Sequence, residues 1–365
     1  MARPLKSILG AARLRARPRL LALIDLVQDI DVMLPLLVAL DRAGSCRLEI
    51  RVSHWLARES PRTAALLDMH GLRFTHVRRK DVIAGRAPSL GGVAGVIAAS
   101  ESSHPAHAAG HALARRADAV GLKTYALQHG LENVGLFGME AGAASFASRT
   151  VFCWFPPEAT PSDLTWGTAE KLAHVGRCTP LGGWRRSAPK TFDVGVFENL
   201  HWDRYTDADR QGFLDGLRAV AGADPATRIL VRPHPAGGWA DRLGHELARF
   251  PNITTARSDD ARADPAGVAD LVQGLHRVIT TPSTIALDAA LASLPVALAV
   301  DGGSLYEPLP VLRTARDWVA FAAAGTEAPL GLDQFRSRVL VDADAAPRML
   351  ERLRGDLAGH LSRNG

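Results

Sequence analysis

The residues of this 365-residue chain that could do chemistry sit in short polar runs, each directly after an apolar one. The clearest run is Thr280-Thr-Pro-Ser-Thr284, between Arg277-Val-Ile279 and Ile285-Ala-Leu-Asp-Ala-Ala-Leu291. It reads as strand, turn and helix. Pro282 suits the first helical turn, where its missing N–H would be unpaired anyway. Thr281 or Ser283 can cap the helix. Hydroxyls and free backbone N–H groups then point out of a strand's carboxyl end, which suits a phosphate. Thr281, Ser283 and Thr284 are the phosphate candidates, and Asp288 lies one turn beyond Thr284 on the same face. An ordinary capped βαβ unit without a ligand has the same pattern.

Four further runs have this placement. Arg232-Pro-His-Pro235 follows Arg228–Val231, so the Arg232 guanidinium and the His234 imidazole could meet phosphate or ribose oxygens. A stiff structural turn would look alike. Phe197-Glu-Asn-Leu-His201 ends another strand, and Asn199 is its candidate contact to a donor or an acceptor. Gln128-His129-Gly130 ends a strand nearer the N-terminus. His129 could act as a general base, since an unperturbed imidazole titrates at roughly 6.5. Glu132 could orient it, and Gln128 and Gly130 flank it. A histidine bonded locally in a glycine turn is the alternative. Glu101-Ser-Ser-His104 offers Ser102 and Ser103 to an anion or acceptor, or simply as helix caps. His104, His107 and His111 have helical spacing, but a zinc site needs further ligands and a second shell, so an ordinary helix is the reading. Asp25, Asp29 and Asp31 are alternative carboxylate bases near the first strand end, where capping and turn roles also fit.

The elements that must position these runs alternate twice over. Strands are expected at 20–26, 47–53, 74–77, 92–99, 123–127, 150–155 and 173–176, with helices at 31–43, 61–70 and 104–120. After a stretch rich in Gly, Pro and basic residues, strands follow at 192–197, 228–231, 253–255, 277–279 and 296–300. Helices are expected there at 207–221, 239–250, 264–273 and 284–292, and a last one at 346–361. The expected fold class is α/β, with two doubly wound Rossmann-like domains facing a cleft. The expected divisions are a basic segment (1–19), an acceptor-side domain (20–178), a linker (179–191), a nucleotide-donor-binding domain (192–345) and a C-terminal helix (346–365).

Composition excludes several classes. Hydrophobic content of 47% with 22% charged residues is that of a soluble globular protein. The net charge is +5, but aromatic residues make up only 6% and no nucleic-acid module is present, so no nucleic acid is expected as a partner. No run approaches the roughly 20 apolar residues of a membrane span. Residues 1–19 carry Arg3, Lys6, Arg13, Arg15, Arg17 and Arg19 among leucines and an isoleucine. They could lie on an anionic membrane surface or form a frayed basic tail. They lack the features of a signal peptide. Cys46, Cys153 and Cys178 are far apart and odd in number, which fits a reducing compartment. The expected location is cytoplasmic, peripheral to the membrane at most. There is no GxxxxGK(S/T), no GxGxxG after the first strand and no GxSxG elbow, which argues against a P-loop enzyme, a dinucleotide oxidoreductase and an α/β-hydrolase.

In their order, Gln128-His-Gly130, Arg232-Pro-His-Pro235 and Thr281-Pro-Ser-Thr-Ile-Ala-Leu-Asp288 with Pro295-Val296 resemble GT-B-fold transferases of bacterial surface polysaccharides. The pattern is similar to capsule Kdo transferases, HP-motif sialyltransferases and CDP-glycerol glycerophosphotransferases. The resemblance implies that Arg232 and His234 bind the nucleotide and its phosphate, that Ser283 and Thr284 hold phosphate, and that His129 is the base. It departs from the family in Gln128, where a tryptophan is usual, and in Thr281-Pro282, where many relatives carry an acidic residue. The implied activity is metal-independent transfer of a sugar, from a nucleotide donor such as a CMP- or CDP-linked one, to a glycan or glycolipid. No cofactor is implied. A UDP-sugar 2-epimerase shares the architecture, although its phosphate loop usually reads Asp-Ser-Gly-Gly. A non-catalytic binding or scaffold protein of the same fold is the alternative from another class.

Overall fold

Parallel strands need long crossovers, and each crossover lays a helix on a sheet face. The strands of this chain must therefore be buried on both sides, and their sequences show it. In the computed structural model, which describes residues 17–137, 144–184, 190–234, 239, 244–256, 268–325 and 331–361, strand β1 is Arg19–Ile24 and all but its first residue are buried. Leu20, Ala22 and Ile24 join one core with Ile30, Met33 and Leu353. Leu21 and Leu23 join another with Val96, Ala98 and Leu113. Alternate side chains thus feed two layers, as the period of a strand requires.

The first sheet contains β1, β2 (Arg47–Ser53), β3 (Phe74–Val77), β4 (Val93–Ala98), β5 (Lys123–Leu127), β6 (Thr150–Cys153) and β7 (Leu172–His174). Their spatial order is β3-β2-β1-β4-β5-β6-β7 and every pairing is parallel. The second sheet contains β8 (Phe192–Glu198), β9 (Ile229–Pro233), β10 (Ile253–Thr255), β11 (Leu275–Thr280) and β12 (Val296–Leu298). Its order is β10-β9-β8-β11-β12, again all parallel. In each sheet the strand order reverses once, at β1/β4 and at β8/β11. The chain is two parallel-sheet, Rossmann-like α/β units.

One unit is residues 1–181 with 340–365, and the other is 182–339. The tail rejoins the first sheet through backbone bonds from Val341 N–H to the Trp154 carbonyl (2.7 Å) and from Ala345 N–H to the Arg177 carbonyl (3.1 Å). The last helix, Ala346–Leu361, then buries Met349, Leu353 and Leu357, spaced one turn apart, in the first unit's core. Tyr125 donates to Asp356 on it at 3.1 Å.

Several elements differ from the sequence expectation. Residues 301–345, for which no element is expected, hold helices Ala315–Ala323 and Leu332–Val339. The first opens on a capping box formed by Thr314 and Asp317, and buries Trp318. Short helices also cover His54–Glu59, Arg79–Ile83 and Trp166–Ala169. The segment expected to be helical from Trp239 is helical over Gly244–Leu247, and residues 240–243 lie outside the described residues. Residues 185–189 of the linker and 1–16 of the basic segment also lie outside them. Cys46, Cys153 and Cys178 are buried and free.

The tail helix predicts a measurable dependence of the first unit on the chain's end. Leu353→Ala removes a fully buried side chain and should cost about 2–5 kcal/mol. Chemical denaturation would show this as a lower midpoint for the transition that includes the first sheet. An unchanged midpoint would mean that the helix contributes no core.

Candidate functional sites at the strand ends

In an open parallel sheet, ligand loops collect at the strand carboxyl ends where the strand order reverses. In the second unit this point lies between β8 and β11, and the polar runs meet there. Asn199 follows β8. Its backbone N–H donates to Thr281 Oγ1 (3.1 Å), and its Nδ2 donates to the Pro282 carbonyl (2.9 Å). Thr281 N–H donates in turn to the Phe197 carbonyl (3.1 Å). Thr280 Oγ1 donates to the Thr281 carbonyl at 2.8 Å and lies 3.0 Å from Ser283 Oγ.

Helix Thr284–Leu291 begins here, and its cap is Ser283, whose hydroxyl accepts from Ile285 N–H. Pro282 therefore precedes the cap and does not occupy the first turn. Its lack of an N–H is harmless there too, and its carbonyl takes bonds from Asn199 and Arg204 (3.3 Å). Thr281 is enclosed and its hydroxyl ties β11 to β8, so it supports the loop and does not face a ligand. Ser283 and Thr284 remain partly exposed at the helix start. Asp288 is buried within this helix.

Arg232 is the second-last residue of β9 and His234 follows the strand, both partly exposed, while Pro235 lies outside the described residues. The His234 ring lies 4.9 Å from that of His201, which lies 4.7 Å from the Trp202 indole. Burial and the neighbouring His201 push the His234 pKa down to about 4, and burial lowers that of His201. Both rings are neutral near pH 7, so the positive charge on this edge comes from arginines, Arg232 and the Arg204 that bonds the Pro282 carbonyl. Neither the ring pair nor Trp202 is marked by a motif in the sequence. Loop composition carries no signal for a contact between residues more than thirty positions apart.

In the first unit the order reverses between β1 and β4. Asp29 Oδ2 accepts from the N–H groups of Asp25 and Leu26, both at 2.9 Å, and Ser100 Oγ donates to Oδ1. Asp29 is thus a turn-holding residue. Asp25 is 2% exposed, and burial raises its pKa to about 6 although Arg79 Nε lies 3.1 Å from Oδ2. Asp31 pairs with Arg62 on the surface. Gly110, on helix Ala108–Ala119, lets that helix close on β4, since a Cβ there would overlap the Ser100 carbonyl.

His129 follows β5. Its N–H donates to Asn133 Oδ1 (2.9 Å). Asn133, one position after Glu132, is the group that holds this turn. Glu132 is partly exposed in it. The His129 ring meets His107 edge to face at 5.0 Å. Burial pushes their pKa values down to about 4 and about 3. His129 Nδ1 is enclosed and has no hydrogen-bond partner. Gln128 is buried, and its amide donates to the Gly130 carbonyl (2.9 Å) and accepts from Trp154 N–H (2.8 Å). It is a brace and not a ligand contact. Ser102 is likewise enclosed, 2.7 Å from His107 Nδ1. Ser103 is exposed, but its hydroxyl accepts from Ser145 N–H at 3.0 Å. Glu101 binds His111 Nδ1 (2.8 Å) and the N–H groups of Ala147 and Ser148. His107 and His111 thus serve separate partners, and among the described residues no group of three or more His, Cys, Asp or Glu is placed to hold a metal ion.

No protein-family model matches the chain, and no curated protein matches it. Solved structures do. A complex described as S. aureus MnaA with UDP matches with a TM-score of 0.65 at 10% identity, over 93% of this chain and 97% of the other. A putative UDP-N-acetylglucosamine 2-epimerase from Listeria monocytogenes matches with a TM-score of 0.62 at 12% identity, over 92% and 95%. CalG4, the calicheamicin glycosyltransferase, matches with a TM-score of 0.56 at 13% identity, over 94% and 99%. At these identities the likeness is one of fold, and the fold is GT-B-like. Among the described residues no helix is long and apolar enough to cross a membrane.

The buried imidazoles predict an acid-sensitive fold. A histidine with a lowered folded pKa binds fewer protons than it does in the unfolded chain. Stability therefore falls as pH drops from about 6.5 towards the folded value. Asp25, with its raised pKa, opposes this between about 6 and 3.8. For His107 alone the loss by pH 4 is on the order of 3 kcal/mol. Urea unfolding at pH 7 and pH 4 should show a shallower acid limb in His107→Gln than in the wild type. Parallel profiles would contradict a neutral, buried His107.

Proposed function

We propose that the protein is an enzyme of nucleotide-activated sugars, with the nucleotide held by the second unit. The observation that carries this reading is the meeting of Asn199, Ser283, Thr284 and the start of helix Thr284–Leu291 at the β8/β11 reversal, beside Arg232 and His234. Free N–H groups, hydroxyls and a guanidinium suit a diphosphate. The neutral His234 imidazole can give it a hydrogen bond without adding charge.

Two chemistries follow from this arrangement. In transfer, an acceptor hydroxyl attacks the activated carbon, or the phosphorus in the glycerophosphotransferase variant. Arg232, Ser283 and Thr284 stabilise the departing phosphate. The acceptor proton must go to a base. His129 is the base that the loop pattern suggests, although its free nitrogen is enclosed in this conformation. Asp25, with a pKa near 6, is better matched to neutral pH. The loop pattern favours this chemistry, with a CMP- or CDP-linked donor and a glycan or lipid-linked acceptor. The basic segment 1–19 would hold the enzyme near an anionic membrane carrying that acceptor. In the second chemistry, 2-epimerisation, the sugar's C2 hydrogen is removed and returned on the other face, with no acceptor. The fold neighbours favour it, since several are described as UDP-GlcNAc 2-epimerases.

One assay separates these chemistries. The protein is incubated with UDP-GlcNAc, CMP-sugars and CDP-glycerol in deuterated water, with and without glycan acceptors. Deuterium at C2 of the sugar without acceptor identifies an epimerase. Nucleotide release that rises with acceptor identifies a transferase. Neither, with binding intact, leaves a non-catalytic binding protein. Under both enzymatic readings Arg232→Ala should weaken nucleotide binding about tenfold or more, because it removes a charged partner of the phosphates. Thermal shift with UDP, CDP and CMP measures this, and an Arg232→Ala variant that binds as the wild type would remove Arg232 from the site.

A further inference from the structure

The loop after β8 leaves a large aromatic ring facing solvent while its backbone is tied down. Trp202 is 48% exposed, four residues beyond the end of the central strand β8. Exposed Met69, Ile83 and Val120 lie at the carboxyl ends of helices or just past them, on the opposite edge from the ligand loops. Trp202 lies on the ligand edge. Its N–H donates to the Asn199 carbonyl (3.3 Å), and its carbonyl accepts from Tyr205 N–H (3.2 Å) and Arg210 Nη2 (3.2 Å). Arg210 Nε also holds the Leu200 carbonyl (3.0 Å), and Asn199 is clamped to Thr281 and Pro282. The indole is thus held by a loop fixed to the same residues that frame the β8/β11 reversal.

Behind it stand two more flat rings. His201 lies 4.7 Å from the indole with a 37° tilt, and His234 lies 4.9 Å from His201 with a 30° tilt. A charged pair of imidazoles at this distance would repel. The neutral pair backs the indole without adding charge, with His201 between Trp202 and His234, whose rings are 6.4 Å apart and edge to face at 64°. An exposed flat surface beside a phosphate-binding edge fits a flat, neutral group attached to phosphate.

We propose that Trp202, backed by His201 and His234, is the stacking platform for the nucleobase of the nucleotide-activated ligand. This rests on the proposed nucleotide site of the second unit. Stacking tolerates any base, because each presents a π-face. The platform therefore predicts a strong preference for nucleotides over bare diphosphate, and weak discrimination between uridine and cytidine.

Isothermal titration of the full chain with UDP, CDP, pyrophosphate and UDP-GlcNAc tests this. The wild type should bind UDP and CDP about tenfold or more tighter than pyrophosphate. Trp202→Ala should remove that margin and leave pyrophosphate binding unchanged, and Trp202→Phe should keep part of it. An unchanged nucleotide-to-pyrophosphate ratio in Trp202→Ala overturns the platform. So does a Trp202→Ala variant that binds UDP normally and loses only UDP-GlcNAc, which would assign the ring to the sugar. A wild-type protein that binds none of the four overturns the nucleotide site itself, and the platform with it.

Discussion

Parallel pairing is the constraint from which the rest of this structure follows. A parallel strand cannot return by a tight turn, so each crossover covers a sheet face, and both faces need apolar side chains. That is why Leu20 to Ile24 supply two separate cores from one strand. It is also why every strand delivers its following loop to the same edge. Asn199, Arg232 and Ser283 lie far apart in sequence but follow or end parallel neighbours β8, β9 and β11. Their assembly needs no special device beyond the pairing itself.

The same packing sets the charge state of the loops. Enclosure disfavours any charged form, so it moves imidazoles and carboxyls in opposite directions. His107, His129 and His234 become poor proton acceptors, while Asp25 becomes a group able to exchange a proton near neutrality. A histidine in a polar loop looks like an acid–base catalyst because its free pKa is near neutral. Inside these sheets that advantage passes to the aspartate.

Most of the strands, the alternation and the two-unit α/β class were legible in the sequence. The loop clusters were legible as places. The roles inside them were less so. Thr281, Ser283 and Thr284 look equivalent on the page, yet Thr281 turns inward to β8 while Ser283 caps and stays partly exposed. Gln128 and Ser102 look like contacts but brace their own loops. Helix Ala315–Ala323 is not among the expected elements, although its Thr314-x-x-Asp317 capping box and its amphipathic pattern are both present in the sequence.

By itself the sequence determined which segments are strands, though not their ends (the strand expected at 277–279 is Leu275–Thr280, and that expected at 296–300 is Val296–Leu298), that both sheets would be parallel, and that polar groups would collect at the strand ends. Those are properties of local patterns and of the lengths of crossovers. Only the tertiary structure decided which hydroxyls face outward, that Asp25 pairs with Arg79, that His201 stands against His234, and that the last helix belongs to the first unit. Each of these depends on contacts between distant segments. Burial, which sets both hydrogen-bond partners and protonation, is a sum over such contacts and has no local signature.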